Sequence, residues 1–102
     1  MESTVTRDGT KAVLQAGGDI VSTTVPGLRP VLRDLLQEGV RELVLDLGEA
    51  RMVDSSGIGL LMAAHNSLEK VGGTLTVVHA SPEIRELFTA MRLNQHLTVA
   101  DD

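Results

Sequence analysis

The polar and apolar positions change period several times along the chain, and each change marks an element. Residues 11–16 (KAVLQA) alternate weakly and follow the turn pair Asp8-Gly9, which predicts a hairpin with residues 3–6 as its other strand. Residues 41–47 (RELVLDL) and 74–80 (TLTVVHA) are runs of leucine and β-branched residues bounded by glycines, the pattern of buried strands. Residues 96–100 (HLTVA) add a short fifth candidate.

Helical spacing fills the intervals. Leu28, Leu32, Leu35 and Leu36 fall at i, i+4, i+7 and i+8, and Ile58, Leu61, His65 and Leu68 also recur at helical intervals. In residues 81–93, Ser81 is the predicted N-cap, Pro82 takes the first helical position and Glu83 lies in the first turn. A stripe of Ile84, Leu87, Phe88 and Met91 follows. Proline costs about 3 kcal/mol in a helix interior and little in the first turn, so Pro26, Gly27 and Pro30 set the first helix to start near Gly27 rather than Thr24. The order β-β-α-β-α-β-α-β predicts an α/β fold. It would be a single domain over residues 1–102, with a mixed, mostly parallel sheet of about four to five strands and three helices on right-handed crossovers.

Composition then removes whole classes of chemistry. Of 102 residues 42% are hydrophobic, enough for one core and too few residues for a second domain. There is no cysteine, which excludes disulfides, thiolate nucleophiles and cysteine-held zinc. No basic segment precedes an apolar run at the N-terminus, and the longest such run, GIGLLMAA, is too short to span a bilayer, so a cytoplasmic protein without membrane insertion is expected. A formal charge of −5 repels a phosphate backbone, and Phe88 is the only aromatic residue on which a base could stack. Direct nucleic-acid binding is therefore not expected.

The junction Asp54-Ser55-Ser56-Gly57 is where a strand gives way to a helix. A helix start leaves orphan N–H groups, and any of Asp54, Ser55 and Ser56 has an oxygen that would accept from them. Capping accounts for the residue types; a chemically modified hydroxyl is the other reading. Catalysis by this serine pair lacks its usual frame. A nucleophile elbow needs glycine two residues before the serine, where Val53 and Asp54 stand, and Gly57 and Gly59 lack the lysine of a phosphate-binding loop. His65, His79 and His96 are scattered, with no carboxylate at a metal-ligand spacing. The chain is accordingly expected to have no catalytic residues, metal or cofactor.

Residues 43–93 carry, in order, a strand ending in DSSG (Asp54 to Gly57), an apolar helix, Gly72-Gly73, a strand, the helix start Ser81-Pro82 and the pair Leu87-Phe88. In this they resemble the STAS domain, the family of sulfate transporters and anti-sigma factor antagonists. The resemblance implies a bacterial protein-binding switch. Ser55, directly after Asp54, would be phosphorylated by a partner that is both the anti-sigma factor and a serine kinase of GHKL-type ATPase fold, a phosphatase would reset it, and Ser56 would cap the helix. Unmodified, such a protein binds the anti-sigma factor and frees the sigma factor. A phosphate at a helix N-terminus is favoured by the dipole, while its charge beside Asp54 repels a docking surface. The family also often carries two acids before the first helix; GGDIVS retains Asp19 and has Val21 at the second place. A further helix often follows the last strand in the family, and here the sequence stops at Asp102. The alternative is a STAS subunit that braces a transporter or a larger signalling complex without phosphorylation.

The partner would dock on the Ser55 loop and a flank of the following helix. With Ile58, Leu61, His65 and Leu68 facing the core, Leu60, Ala63, Ala64 and Ser67 form a small, apolar flank that suits either a partner or a neighbouring helix.

Overall fold

After the first hairpin every strand is reached through a helix, and that connectivity decides the layers. The computed structural model describes residues 2–100; Met1, Asp101 and Asp102 lie outside the described residues. Strands β1 (Thr4–Asp8), β2 (Lys11–Gln15), β3 (Glu42–Asp46), β4 (Thr74–Val78) and β5 (Thr98–Val99) lie side by side in chain order. Pair β1–β2 is antiparallel and the other three pairs are parallel. Helices α1 (Val25–Gln37), α2 (Ser55–Glu69) and α3 (Pro82–Ala90), the last followed by a 3₁₀ turn at Leu93–Gln95, make the crossovers. Right-handed crossovers that always step in one direction along a sheet put all their helices on one face. The fold is thus a single-domain α/β unit with three helices on a five-stranded mixed sheet.

The burial of alternate residues follows from this. Ala12, Leu43 and Leu75 lie in one register row and Leu14, Leu45 and Val77 in another, all fully buried under the helices. Val13, Val44 and Thr76 share a row on the opposite face and are half-buried. The central strands are therefore covered by helices on one face, not on both as continuous apolar runs suggest, because all three crossovers leave the same way. Leu28, Leu32 and Leu35 of α1 and Ile84 and Phe88 of α3 complete the core. Arg7 of β1 forms an ion pair with Glu38 just past α1, tying the hairpin to the helix layer.

Two helix boundaries differ from the sequence pattern. Helix α1 begins at Val25, two residues before the predicted start, because Pro26 falls in the first turn, where a missing N–H costs nothing; Pro30 is accommodated inside the helix on an exposed face. Helix α3 ends at Ala90, and Arg92 turns the chain in a left-handed conformation (φ 59°), so Met91 leaves the predicted stripe and is 50% exposed.

Candidate functional site

Two loops meet at the carboxyl end of the sheet, one after β2 and one after β3. Ile20 and Val53 form a parallel bridge: the Ile20 N–H donates to the Met52 carbonyl (3.0 Å) and the Asp54 N–H to the Ile20 carbonyl (3.2 Å). Asp19 fastens one side of this zipper, its Oδ1 accepting from the N–H groups of Arg51 (2.7 Å) and Met52 (3.1 Å). Thr24, at the N-cap position of α1, does not cap it; its hydroxyl donates back to the Asp19 carbonyl at 2.7 Å and accepts from the Val21 N–H at 2.9 Å. Asp19 thus belongs to the site as a brace for the loop that delivers Asp54.

Each carboxylate oxygen of Asp54 accepts from a backbone N–H. Oδ1 accepts from the Gly57 N–H (3.0 Å) and so caps α2, while Oδ2 accepts from the Ser22 N–H of the other loop (3.0 Å). The Gly57 N–H first, opposed by partial desolvation and aided by the N–H groups of Ser22 and Ser56, holds the carboxyl below its ordinary value of 3.8. It is a carboxylate at neutral pH. This corrects the assignment of the cap to Ser56: an extended residue one turn before Gly57 is geometrically the cap, and Asp54 is that residue. Ser55 and Ser56 occupy the first two helical positions, both exposed, and among the described residues neither hydroxyl has a hydrogen-bond partner.

Gly57 shows how closely the parts fit. A Cβ there would lie 2.2 Å from the Ile20 carbonyl oxygen and 2.8 Å from Val53 Cγ1, so only hydrogen fits where α2 starts against the loop bridge.

The predicted docking flank is split by the structure. Leu60 and Ala64 are buried against the core, a correction to their placement on an open flank, because α1 packs along that side of α2; Ala63 and Ser67 remain exposed. Together with Arg29 and Arg33 of α1 these residues line an open groove of about 360 Å³ between the two helices. His65 is half-buried beside Glu69 (3.7 Å) rather than a full core residue. Asp46 binds the Gly48 N–H (2.8 Å) and His79 Nδ1 (3.1 Å), closing the end of β3 against a left-handed His79. Among the described residues no group of three or more His, Asp or Glu is placed to hold a metal ion, and no helix is long and apolar enough to cross a membrane.

Sequence reasoning missed Ser22, Arg29 and Arg33. Ser22 donates through its backbone, so no residue-type signal marks it. The arginines stand four apart on α1, a spacing visible in the sequence but without meaning until α2 is known to lie alongside.

A family model described as "Mlab, STAS domain" matches residues 3–99. The chain is similar to the anti-sigma-B factor antagonist of Staphylococcus aureus (strain NCTC 8325 / PS 47), 32% identical over 75 residues that make up 74% of this chain and 69% of that one. Among solved structures it resembles an anti-sigma factor antagonist from Mycobacterium paratuberculosis, with a TM-score of 0.87 at 23% identity over 99% of this chain and 86% of the other. It also resembles the Bacillus cell fate determinant SpoIIAA in its phosphorylated form, with a TM-score of 0.77 at 21% identity over 99% and 93%.

Proposed function

From the premise that the chain belongs to the STAS domain family of anti-sigma factor antagonists, we propose that it is a phosphorylation-controlled binding switch with Ser55 as the modified residue. Unmodified, it binds an anti-sigma factor that is also a serine kinase of GHKL-type ATPase fold, and the sigma factor is released; phosphate on Ser55 ends the binding, and a phosphatase restores it. The protein works in the cytoplasm by occupancy, with no turnover of its own.

One observation carries this reading. Asp54 takes over both structural duties at the junction, capping α2 and holding Ser22, so the Ser55 hydroxyl is exposed and needed by no neighbour. A phosphate added at the first helical position sits at the positive end of a 15-residue helix, which favours it. The same charge next to the Asp54 carboxylate makes the loop strongly anionic while the packed side of the helix is untouched. Modification can therefore change an interface without unfolding the domain. Incubation with the co-purifying kinase and ATP, followed by mass spectrometry, should place one phosphate on Ser55. Phosphate on Ser56 alone, or none with an active kinase, rejects the assignment.

A second reading is a STAS subunit that binds through the same loop without phosphorylation, in a transporter or a larger signalling complex. Val21 in place of the second acid favours it, as does Asp19, whose carboxylate accepts from the backbone N–H groups of Arg51 and Met52. Binding of the native partner that is unchanged by Ser55→Asp supports this second reading.

A further inference from the structure

The groove between α1 and α2 has an apolar floor and one cationic rim. Leu32, Leu60 and Ala64 are buried at its base, half-buried Leu36 also lines it, and the exposed wall on the α2 side is small, with Ala63 and Ser67. A groove between two helices whose exposed wall is small accepts a third helix closely. The other rim carries Arg29 and Arg33, four residues apart and both exposed. Arg29 has no ion pair or hydrogen bond among the described residues. Among the described residues Arg33 meets only its neighbour Asp34 at 3.6 Å, with both side chains about 60% exposed, a pairing of little energetic weight. One free and one weakly paired guanidinium thus stand together on a chain of formal charge −5. Both arginines also line the adjoining cleft with Ser22, Ser56 and Gly59, so the cationic rim runs from the groove to the start of α2.

We propose that this groove seats an amphipathic helix of the partner protein, its apolar face on Leu36 and Ala63 and its acidic flank on Arg29 and Arg33. The inference rests on the reading that the chain acts by binding a protein, and it gives that protein's contact segment a chemistry. An acidic helix fits where a nucleic acid does not, because the floor is apolar and the chain as a whole carries a net charge of −5. Phosphate at the start of α2 would meet the carboxylates along the same rim, so the groove and the Ser55 loop would be read together.

The test uses the full chain and two stapled helical peptides of about 15 residues. Both carry leucines at i, i+3, i+4 and i+7; one has glutamates along one flank, the other lysines. Backbone amide NMR shifts and fluorescence anisotropy should show the glutamate peptide in the α1–α2 groove, with the lysine peptide at least about tenfold weaker and the difference shrinking in high salt. The double variant Arg29→Glu/Arg33→Glu should reverse the preference at an unchanged Tm, and Ala63→Glu should weaken the glutamate peptide alone. If the charge-reversed pair fails to fold, Arg29→Gln/Arg33→Gln should abolish the preference instead. Equal binding of the two peptides, binding of neither, shifts outside the groove, or equal displacement by oligothymidine overturns the proposal. Phosphate transfer to Ser55 is measured separately. A groove that fails while Ser55 is still modified rejects this inference alone, and a groove that binds while Ser55 is never modified rejects the switch alone.

Discussion

Helices α2 and α3 start with the same geometry and different chemistry. In α3 the cap is a serine: Ser81 is extended, its Oγ accepts from the Ile84 N–H at 3.1 Å, and Pro82 and Glu83 complete an ordinary first turn. In α2 the cap is Asp54, and the serines come after it. At the third helical position α3 has Ile84, 2% exposed in the core, and α2 has Gly57 against the Ile20 carbonyl. The serine of α3 is thus committed to the fold, whereas the two serines of α2 are released from it by a carboxylate that caps the helix and ties a second loop. Where one oxygen suffices for structure, a serine supplies it. A hydroxyl relieved of that duty is open to modification without loss of the cap.

The comparison breaks most readily at the third helical position, where opposite volume changes should both destabilise. Ile84→Ala empties core space and should cost about 3 kcal/mol in chemical denaturation. Gly57→Ala adds one methyl and improves helix propensity, yet should cost about 2 kcal/mol because the contact at 2.2 Å forces the Ile20 loop away. A neutral Gly57→Ala would mean that the two loops are not held as closely as the bridge implies. The caps come next. Ser81→Ala should lose about 1 kcal/mol, and Asp54→Ala should lower Tm further, because it removes the tie to Ser22 along with the cap. Acid separates the two caps as well. The Asp54 carboxyl titrates lower in the folded chain than unfolded, so its contribution is complete above the unfolded value of 3.8 and is lost as pH falls through the folded one. Protection of the Gly57 amide against exchange, relative to its intrinsic rate at each pH, should therefore be lost in acid sooner than that of Ile84, whose cap does not titrate in this range.

The contrast between these helix starts also shows what was legible in the sequence. Ser81-Pro82-Glu83 is a local signal, and the start of α3 falls where it predicts, since every group in that cap lies within four residues. The start of α2 is fixed by contacts 32 and 33 residues apart, from Ser22 to Asp54 and from Asp19 to Arg51 and Met52. No periodicity encodes those pairs, so the sequence identifies Asp54, Ser55 and Ser56 as a group without saying which one caps. The order of strands and helices was legible because each period persists over several turns or residues. The division of the α2 flank was not: helical spacing puts Leu60, Ala63, Ala64 and Ser67 on one side but is silent on how far α1 covers it, and α1 buries Leu60 and Ala64 only. The start of α1 was missed for a related reason, since the Thr24 hydroxyl turns back to Asp19 and leaves proline, not a cap, to begin the helix.

The smallest effect is the most decisive for the comparison. Ser55→Ala and Ser56→Ala should each leave the unfolding free energy within about 0.5 kcal/mol of wild type, because neither hydroxyl has a partner to lose among the described residues and alanine is a good residue in a first turn. Ser81→Ala, the same chemical change at the other helix start, is the internal control, and its loss shows that the assay resolves a cap. Should Ser56→Ala match Ser81→Ala, then Ser56 shares the capping with Asp54 and the division of labour at this junction is wrong. Should Ser55→Ala do so, the hydroxyl assigned to the switch is structural, and phosphate there would have to break a contact before it could signal anything. Near-neutrality at both positions, measured beside a clear loss at Ser81, leaves Ser55 as a residue that the fold presents without using. In that case its replacement should be felt only when the kinase is present: the alanine variant should stay bound to the partner under conditions in which phosphorylation releases the wild-type chain.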